Sequence, residues 1–283
     1  MVISHLFGGL GNQLFQYAAG KRIAEKYSVP FALDTSAFES YKLRRFDLDH
    51  FNLQARIATE TEITELKPSS NLAKALQYLR LKKNRTYHRE RSFNFDPSFE
   101  SIGPDIYLKG YFQSEQYFAP IAPTVLKEFT IKPEFIQNVT ALAGKIRNPN
   151  SVGIHIRRGD YKNTDVKQLL ATTDADYYQR AIALMLEKLT DPEFYFFSDD
   201  IDWVRENLPV PNAVYVSGDL AKTHIEDFYL LSQCGNQIIP NSTFAWWAAW
   251  LNPNPAKSVI APQKWFNDEA SNRDRLPESW TSL

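Results

Sequence analysis

The feature that most constrains this 283-residue chain is the alternation, through its second half, of short apolar runs with helical stretches. Val152 to Ile156, Phe194 to Phe197, Ala213 to Val216, Gln237 to Ile239 and Ser258 to Ile260 read as strands. Helices are expected from Asp176 onward, over Asp202 to Asn207, over Ile225 to Cys234 and over Thr243 to Leu251. In the first of these, Tyr178, Ile182, Met185 and Leu189 share one face, as a 3.6-residue period requires. Apolar strands separated by whole helices cannot be joined by tight turns. They pair in parallel, with helices on both faces of a doubly wound sheet.

The first half opens in the same way. Val2 to Phe7 reads as a strand, Gly8 to Gln13 as a glycine-rich turn leading into a helix through Lys26, and Phe31 to Asp34 as a second strand. Residues 60 to 148 are less regular, with a strand expected within Asp105 to Phe112 and a helix over Pro133 to Arg147. The turn signal Asn148-Pro149-Asn150 marks a boundary between a domain of residues 1–148 and one of residues 149–283. No internal repeat or low-complexity tract is visible.

Composition excludes several classes. A net charge of -1 and a pI near 6.5 offer no general basic field for nucleic acid. One cysteine, Cys234, precludes an intrachain disulfide and any cysteine-based metal site, and points to a reducing, cytoplasmic compartment. The chain starts directly in a strand, and its longest apolar run is Phe244 to Leu251, so neither a signal peptide nor a transmembrane segment is expected. Between Asn71 and Arg91 stand seven Lys or Arg and a single acid, Glu90. This run suits peripheral contact with the inner face of an anionic membrane or a lipid-linked acceptor, although a solvated helix face is the simpler reading.

Three polar clusters fall just after strands, where parallel sheets bind ligands. His155-Ile156-Arg157-Arg158-Gly159-Asp160 places two permanently charged guanidiniums beside a glycine that permits close backbone approach, a combination suited to phosphate. A surface ion pair of Asp160 with an arginine is the plainer alternative. Asp199 and Asp200 follow the next strand and have three readings: a helix cap, divalent-metal ligands, or acceptors for a guanine base. Asn241, Ser242 and Thr243 open a helix, where backbone N–H groups favour phosphate; the tryptophans beyond them, Trp246, Trp247 and Trp250, read as core. The first turn has Gly9, Gly11 and a later Asp34 in common with a dinucleotide fingerprint, but Leu14 stands at the third glycine position and Asn12-Gln13 put amides there instead.

The segments GGLGNQLFQYAAG (8–20), GYFQSEQYF (110–118), HIRRGDY (155–161), FSDD (197–200) and PNSTFAWWAAWL (240–251) together resemble the bacterial α-1,2-fucosyltransferases of glycosyltransferase family 11, over nearly the whole chain. The resemblance implies a GT-B fold, α/β with two Rossmann-like domains whose parallel sheets face each other across a cleft. It also implies metal-independent, inverting transfer of L-fucose from GDP-β-L-fucose to the 2-hydroxyl of a terminal β-galactoside, with the donor on the C-terminal domain and the acceptor mainly on the N-terminal one. Carried over, Arg157 holds the β-phosphate, His155 and Arg158 support the diphosphate, and Asp199 or Asp200 reads guanine. Ser242 and Thr243 cap the phosphates, and Asn12 approaches the fucose-diphosphate junction. Asp165, Glu115 and His5 have the chemistry of a general base, and none is singled out. The competing readings are a fucosyltransferase of another linkage, a non-catalytic nucleotide-sugar or glycan-binding protein, and an NAD-dependent oxidoreductase.

Overall fold

A computed structural model describes residues 1–40, 44–77, 79, 84–159, 171 and 173–283. Among them the chain divides into two compact units, residues 1–130 with 273–275, and residues 131–272 with 276–283.

The first unit is built on a five-stranded parallel sheet in the order β3-β2-β1-β5-β4. Its strands are β1 (Val2–His5), β2 (Phe31–Asp34), β3 (Arg56–Ile57), β4 (Tyr87–Arg89) and β5 (Ile106–Lys109). The helix Leu10–Tyr27 follows β1 and is buried along most of its circumference, from Leu14 and Phe15 to Tyr17, Ala18 and Ile23. It ends where Ser28 turns into the left-handed region and its N–H closes onto the Ala24 and Glu25 carbonyls.

The second unit carries a six-stranded parallel sheet, β11-β10-β9-β6-β7-β8. These are β6 (Ser151–Ile156), β7 (Glu193–Ser198), β8 (Val214–Tyr215), β9 (Asn236–Ile238), β10 (Val259–Ala261) and β11 (Thr281–Ser282). The helix Ala175–Lys188 starts at Asp174, whose carboxylate accepts the Tyr177 N–H at 3.0 Å. It buries Tyr178, Ile182 and Met185 against Val152, Ile154, Phe194 and Phe196. The helix Thr243–Trp250 packs Trp246 and Trp247 in the core, with Trp250 stacked on Trp246.

Two expectations change. The segment 133–147 is not one helix: Ile136 and Val139, with φ of -128° and -110°, separate the 3-10 turns Pro133–Phe135 and Gln137–Val139 from the helix Thr140–Ile146. That last helix lies in the second unit, fastened by a bond from Ser151 Oγ to the Ile146 carbonyl and by Arg147 donating to Gln233. The units therefore part after Thr130, ahead of the proline turn at 148–150. Among the described residues no helix is long and apolar enough to cross a membrane.

Candidate functional site

In each sheet the chain leaves a central strand in both directions, and the carboxyl ends flanking that reversal form the natural ligand crevice. In the second unit the reversal lies between β6 and β9: the chain runs outward from β6 through β7 and β8, then returns to build β9, β10 and β11 on the other side. His155 to Arg158 leave β6 there, and Pro240 to Thr243 leave β9. Tyr177 and Tyr178 hold both strand ends from the same helix, donating to the Ile239 carbonyl at 2.6 Å and to the His155 carbonyl at 3.3 Å.

The two arginines have different partners. Arg157 Nη1 lies 3.4 Å from Ser242 Oγ, bringing together residues 85 positions apart. Ser242 stands at the N-cap of the Thr243–Trp250 helix, but its side chain makes no capping bond, so its hydroxyl is turned to Arg157 instead. Arg158 lays its guanidinium 3.7 Å from the centre of the Trp203 ring and pairs through Nε with Asp200 at 3.2 Å. Asp199 accepts the main-chain N–H groups of Arg158 and Gly159 at 2.8 and 2.9 Å, one on each carboxylate oxygen. Asp200 stands at the N-cap of the helix Ile201–Asn207, as one of the three sequence readings has it, but makes no side-chain capping bond and orients Arg158 instead, while Asp199 clasps the loop that carries the arginines. Asp160 and Asp165 lie outside the described residues.

His155 is buried, with its ring 5.3 Å from Phe244 and Nδ1 unbonded. Burial, helped by the nearby charge of Arg157, lowers its pKa from 6.5 to about 3, so it meets any ligand as a neutral imidazole. Asn241 is a brace: its amide donates to the Ala171 and Trp265 carbonyls at 2.6 and 3.0 Å. Sequence reasoning missed Ser217 and Asp227. The Ser217 hydroxyl accepts the Ser198 N–H and donates to Asp227, whose carboxyl burial pushes up to about 7. An isolated Asp inside a helix pattern carries no sequence signal of such a partner.

In the first unit the reversal lies between β1 and β5. Gly8, at φ +81°, turns the chain out of β1, and a Cβ there would come within 2.7 Å of the Asn12 amide nitrogen. Asn12 Oδ1 accepts from Gln113 Nε2 at 2.8 Å, and Gln113 Oε1 in turn accepts from Arg275 Nη1 at 2.8 Å. Arg275 is buried and also donates to the Phe93 and Gln113 carbonyls. Asn12 therefore does not cap its own helix, whose N-cap is Gly9. Its neighbour Gln13 is no ligand group: fully buried, it bonds the Gly8 and Arg45 carbonyls and the Asp47 N–H. Neither Gln113 nor Arg275 was legible as a site residue, because their link to Asn12 spans more than a hundred residues.

The base candidates of this unit differ. His5 ends β1, pairs in register with Asp34 and stacks on Tyr107; burial lowers its pKa to about 4, and its Nδ1 is unbonded. Glu115 opens a 3-10 turn capped by the Ser114 side chain. Asp34, fully buried, accepts the Tyr107 hydroxyl at 2.5 Å and the Ser36 N–H at 3.0 Å. These bonds occupy the acid that a dinucleotide fold offers to ribose.

Two parallel α/β units, each with polar residues converging at its switch point, are the architecture of GT-B-type glycosyltransferases. The sequence profile of glycosyl transferase family 11 matches residues 2–283, and the chain belongs to that family. It is 30% identical over 298 residues to an alpha-1,2-colitosyltransferase of Escherichia coli, covering 100% of this chain and 99% of that protein. Identity to the O-antigen biosynthesis glycosyltransferase WbnK of Escherichia coli is 31% over 304 residues, covering 99% of each. Galactoside alpha-(1,2)-fucosyltransferase 2 of Mus musculus aligns at 29% over 157 residues, covering 53% of this chain and 45% of the mouse protein. Among solved structures, NodZ alpha-1,6-fucosyltransferase soaked with GDP-fucose superposes with a TM-score of 0.52 at 16% identity, covering 90% of this chain and 96% of NodZ. POFUT1 in its apo form gives 0.52 at 10% identity, covering 94% and 98%. These last two similarities concern the fold.

Proposed function

We propose that the protein transfers L-fucose from GDP-β-L-fucose to the 2-hydroxyl of a terminal β-galactose, inverting the anomeric centre. The observation that carries this reading is the meeting of Arg157 with Ser242 at the reversal between β6 and β9. A permanent cation, a hydroxyl and the start of a helix brought together in this way support a sugar-diphosphate site. The E. coli and mouse relatives, named as α-1,2 transferases, support the linkage.

The chemistry follows from charge. As the anomeric C–O bond breaks, its electron pair passes to the β-phosphate oxygen and positive charge grows on the fucose ring. Arg157 and Ser242 meet the developing anion, stabilising the transition state more than the ground state. Arg158, fixed by Asp200 and Trp203, adds a second cation to the diphosphate pocket. These two guanidiniums supply the positive charge that a divalent cation supplies in metal-dependent transferases. The acceptor oxygen forms the new bond on the opposite face of the ring, and its proton leaves to a general base.

The test is transfer by purified protein in EDTA, with GDP-fucose and GDP-colitose offered in parallel to a panel of β-galactosides, following GDP release and product linkage. An α-1,2-fucoside, abolished in Arg157→Ala, is the expected result. Preferred transfer of colitose reassigns the donor sugar, and absence of GDP binding refutes the site.

A further inference from the structure

The first unit holds a cavity of about 440 Å³ between the helix Asn71–Gln77 and the carboxyl end of the edge strand β4, lined among others by Lys74, Tyr87, Arg89, Glu90 and Arg91. A space of this size takes one or two sugar rings. Its wall is strongly cationic. Arg89 pairs in register with Lys109 on β5, so the two side chains leave the same face of the sheet. Beyond the lining residues, Lys67 holds its ammonium 5.1 Å from the centre of the Tyr107 ring.

The two nearby carboxylates answer only part of this charge. Glu90 spends both oxygens on the loop after β5, accepting the Tyr111 N–H at 2.6 Å and the Phe112 N–H at 3.1 Å. Asp34 is bonded to Tyr107 and Ser36, with Lys67 at 3.8 Å. Lys109 has its pKa lowered, first by burial and then by the charges of Lys67, Arg89 and Lys74, which outweigh the opposing charge of Asp34. Among the described residues the Lys74, Arg89 and Lys109 side chains make no hydrogen bond or ion pair. Lys74, Arg89 and Lys109, gathered at an open cavity with no ion pair of their own among the described residues, are favourable when an anion completes them.

We propose that this cavity binds an oxyanion, a carboxylate or phosphate attached to a sugar of the acceptor other than the one that receives the transferred residue. The acceptor is then an acidic glycan or a glycan linked through phosphate, and the outer edge of the first sheet selects it. This rests on the transferase reading above.

The test compares kcat/KM for a neutral β-galactoside with the same β-galactoside extended by a glucuronate, and with one carrying a diphosphate at its reducing end. The wild-type enzyme is expected to prefer one acidic acceptor by about tenfold or more, chiefly through KM, with the preference shrinking as salt is raised. The favoured acceptor tells carboxylate from phosphate. Lys74→Gln with Arg89→Gln is expected to remove the preference, and Arg89→Lys to retain part of it. Equal use of neutral and acidic acceptors, or a preference that survives the double variant, overturns the proposal. Sedimentation with anionic phosphatidylglycerol vesicles is run alongside: vesicle binding lost in the double variant, with acceptor preference unchanged, would assign the charge to a membrane instead. If no acceptor is turned over, calorimetric titration with pyrophosphate and with glucuronate, under saturating GDP, decides separately. Binding lost in the double variant sustains the cavity while the transfer reading falls, and no binding overturns it.

Discussion

Replacing Asp199 by Asn tests the loop clasp at the proposed donor site. Each carboxylate oxygen accepts one main-chain N–H, from Arg158 at 2.8 Å and Gly159 at 2.9 Å. Asn keeps one acceptor and turns an NH2 toward the second N–H, so one bond is lost and two donors face each other. A hydrogen bond to a charged group contributes about 1.5–3 kcal/mol, so the loop that positions Arg157 and Arg158 loses roughly 2 kcal/mol of preference for its arrangement. If that cost falls on ligand binding, GDP affinity drops roughly thirtyfold. Gly159→Ala should act in the same direction, because its Cβ would sit 2.7 Å from Asp199 Oδ2. The assay is calorimetric titration with GDP and with IDP, which lacks the 2-amino group of guanine. A clasp that acts through the backbone weakens both nucleotides by the same factor. If Asp199→Asn weakens GDP strongly and leaves IDP unchanged, Asp199 reads the base and the clasp argument is refuted; if neither changes, the two N–H bonds do not position the arginines.

Lys21→Met strands the Glu128 carboxylate, which is buried and bonded to Lys21 at 2.6 Å and to the Tyr17 hydroxyl at 2.5 Å; it should cost about 3 kcal/mol in urea unfolding, mostly recovered by adding Glu128→Gln. His155 titrates at about 3 in the fold against 6.5 unfolded, so the stability present above pH 6.5 is lost as the pH falls toward 3. At pH 5 its share of that loss is about 2 kcal/mol, and unfolding curves of His155→Leu between pH 7 and 5 should be flatter by that amount. Gln113→Leu breaks the link from Asn12 to Arg275, and is expected to lower turnover about tenfold or more while leaving the GDP Kd unchanged. An altered GDP Kd in that variant would contradict the confinement of this link to the first unit.

The alternation of apolar runs and helices was enough to determine a parallel α/β chain, because burial on both faces of such a sheet dictates the composition of each strand locally. The same local signals set Arg157, Arg158 and Ser242 next to strand ends, where the structure has them, and placed Trp246 and Trp247 in the core, whereas Trp250 is only half-buried. Very short strands were not legible: Arg56–Ile57 and Thr281–Ser282 have two residues each, and pairing with a neighbour, more than any pattern of their own, makes them strands. Tertiary structure alone decided what the polar residues do. Asp199 has the same acidic chemistry whether it reads a base or holds a loop, and only the fold brings two N–H groups to it. The partners of Asn12, Gln113 and then Arg275, lie about a hundred and more than two hundred and fifty residues away in sequence. A single chain carries no local trace of such contacts, because strand order, with β5 beside β1 and β9 beside β6, is set by which long-range pairings bury the most apolar surface together.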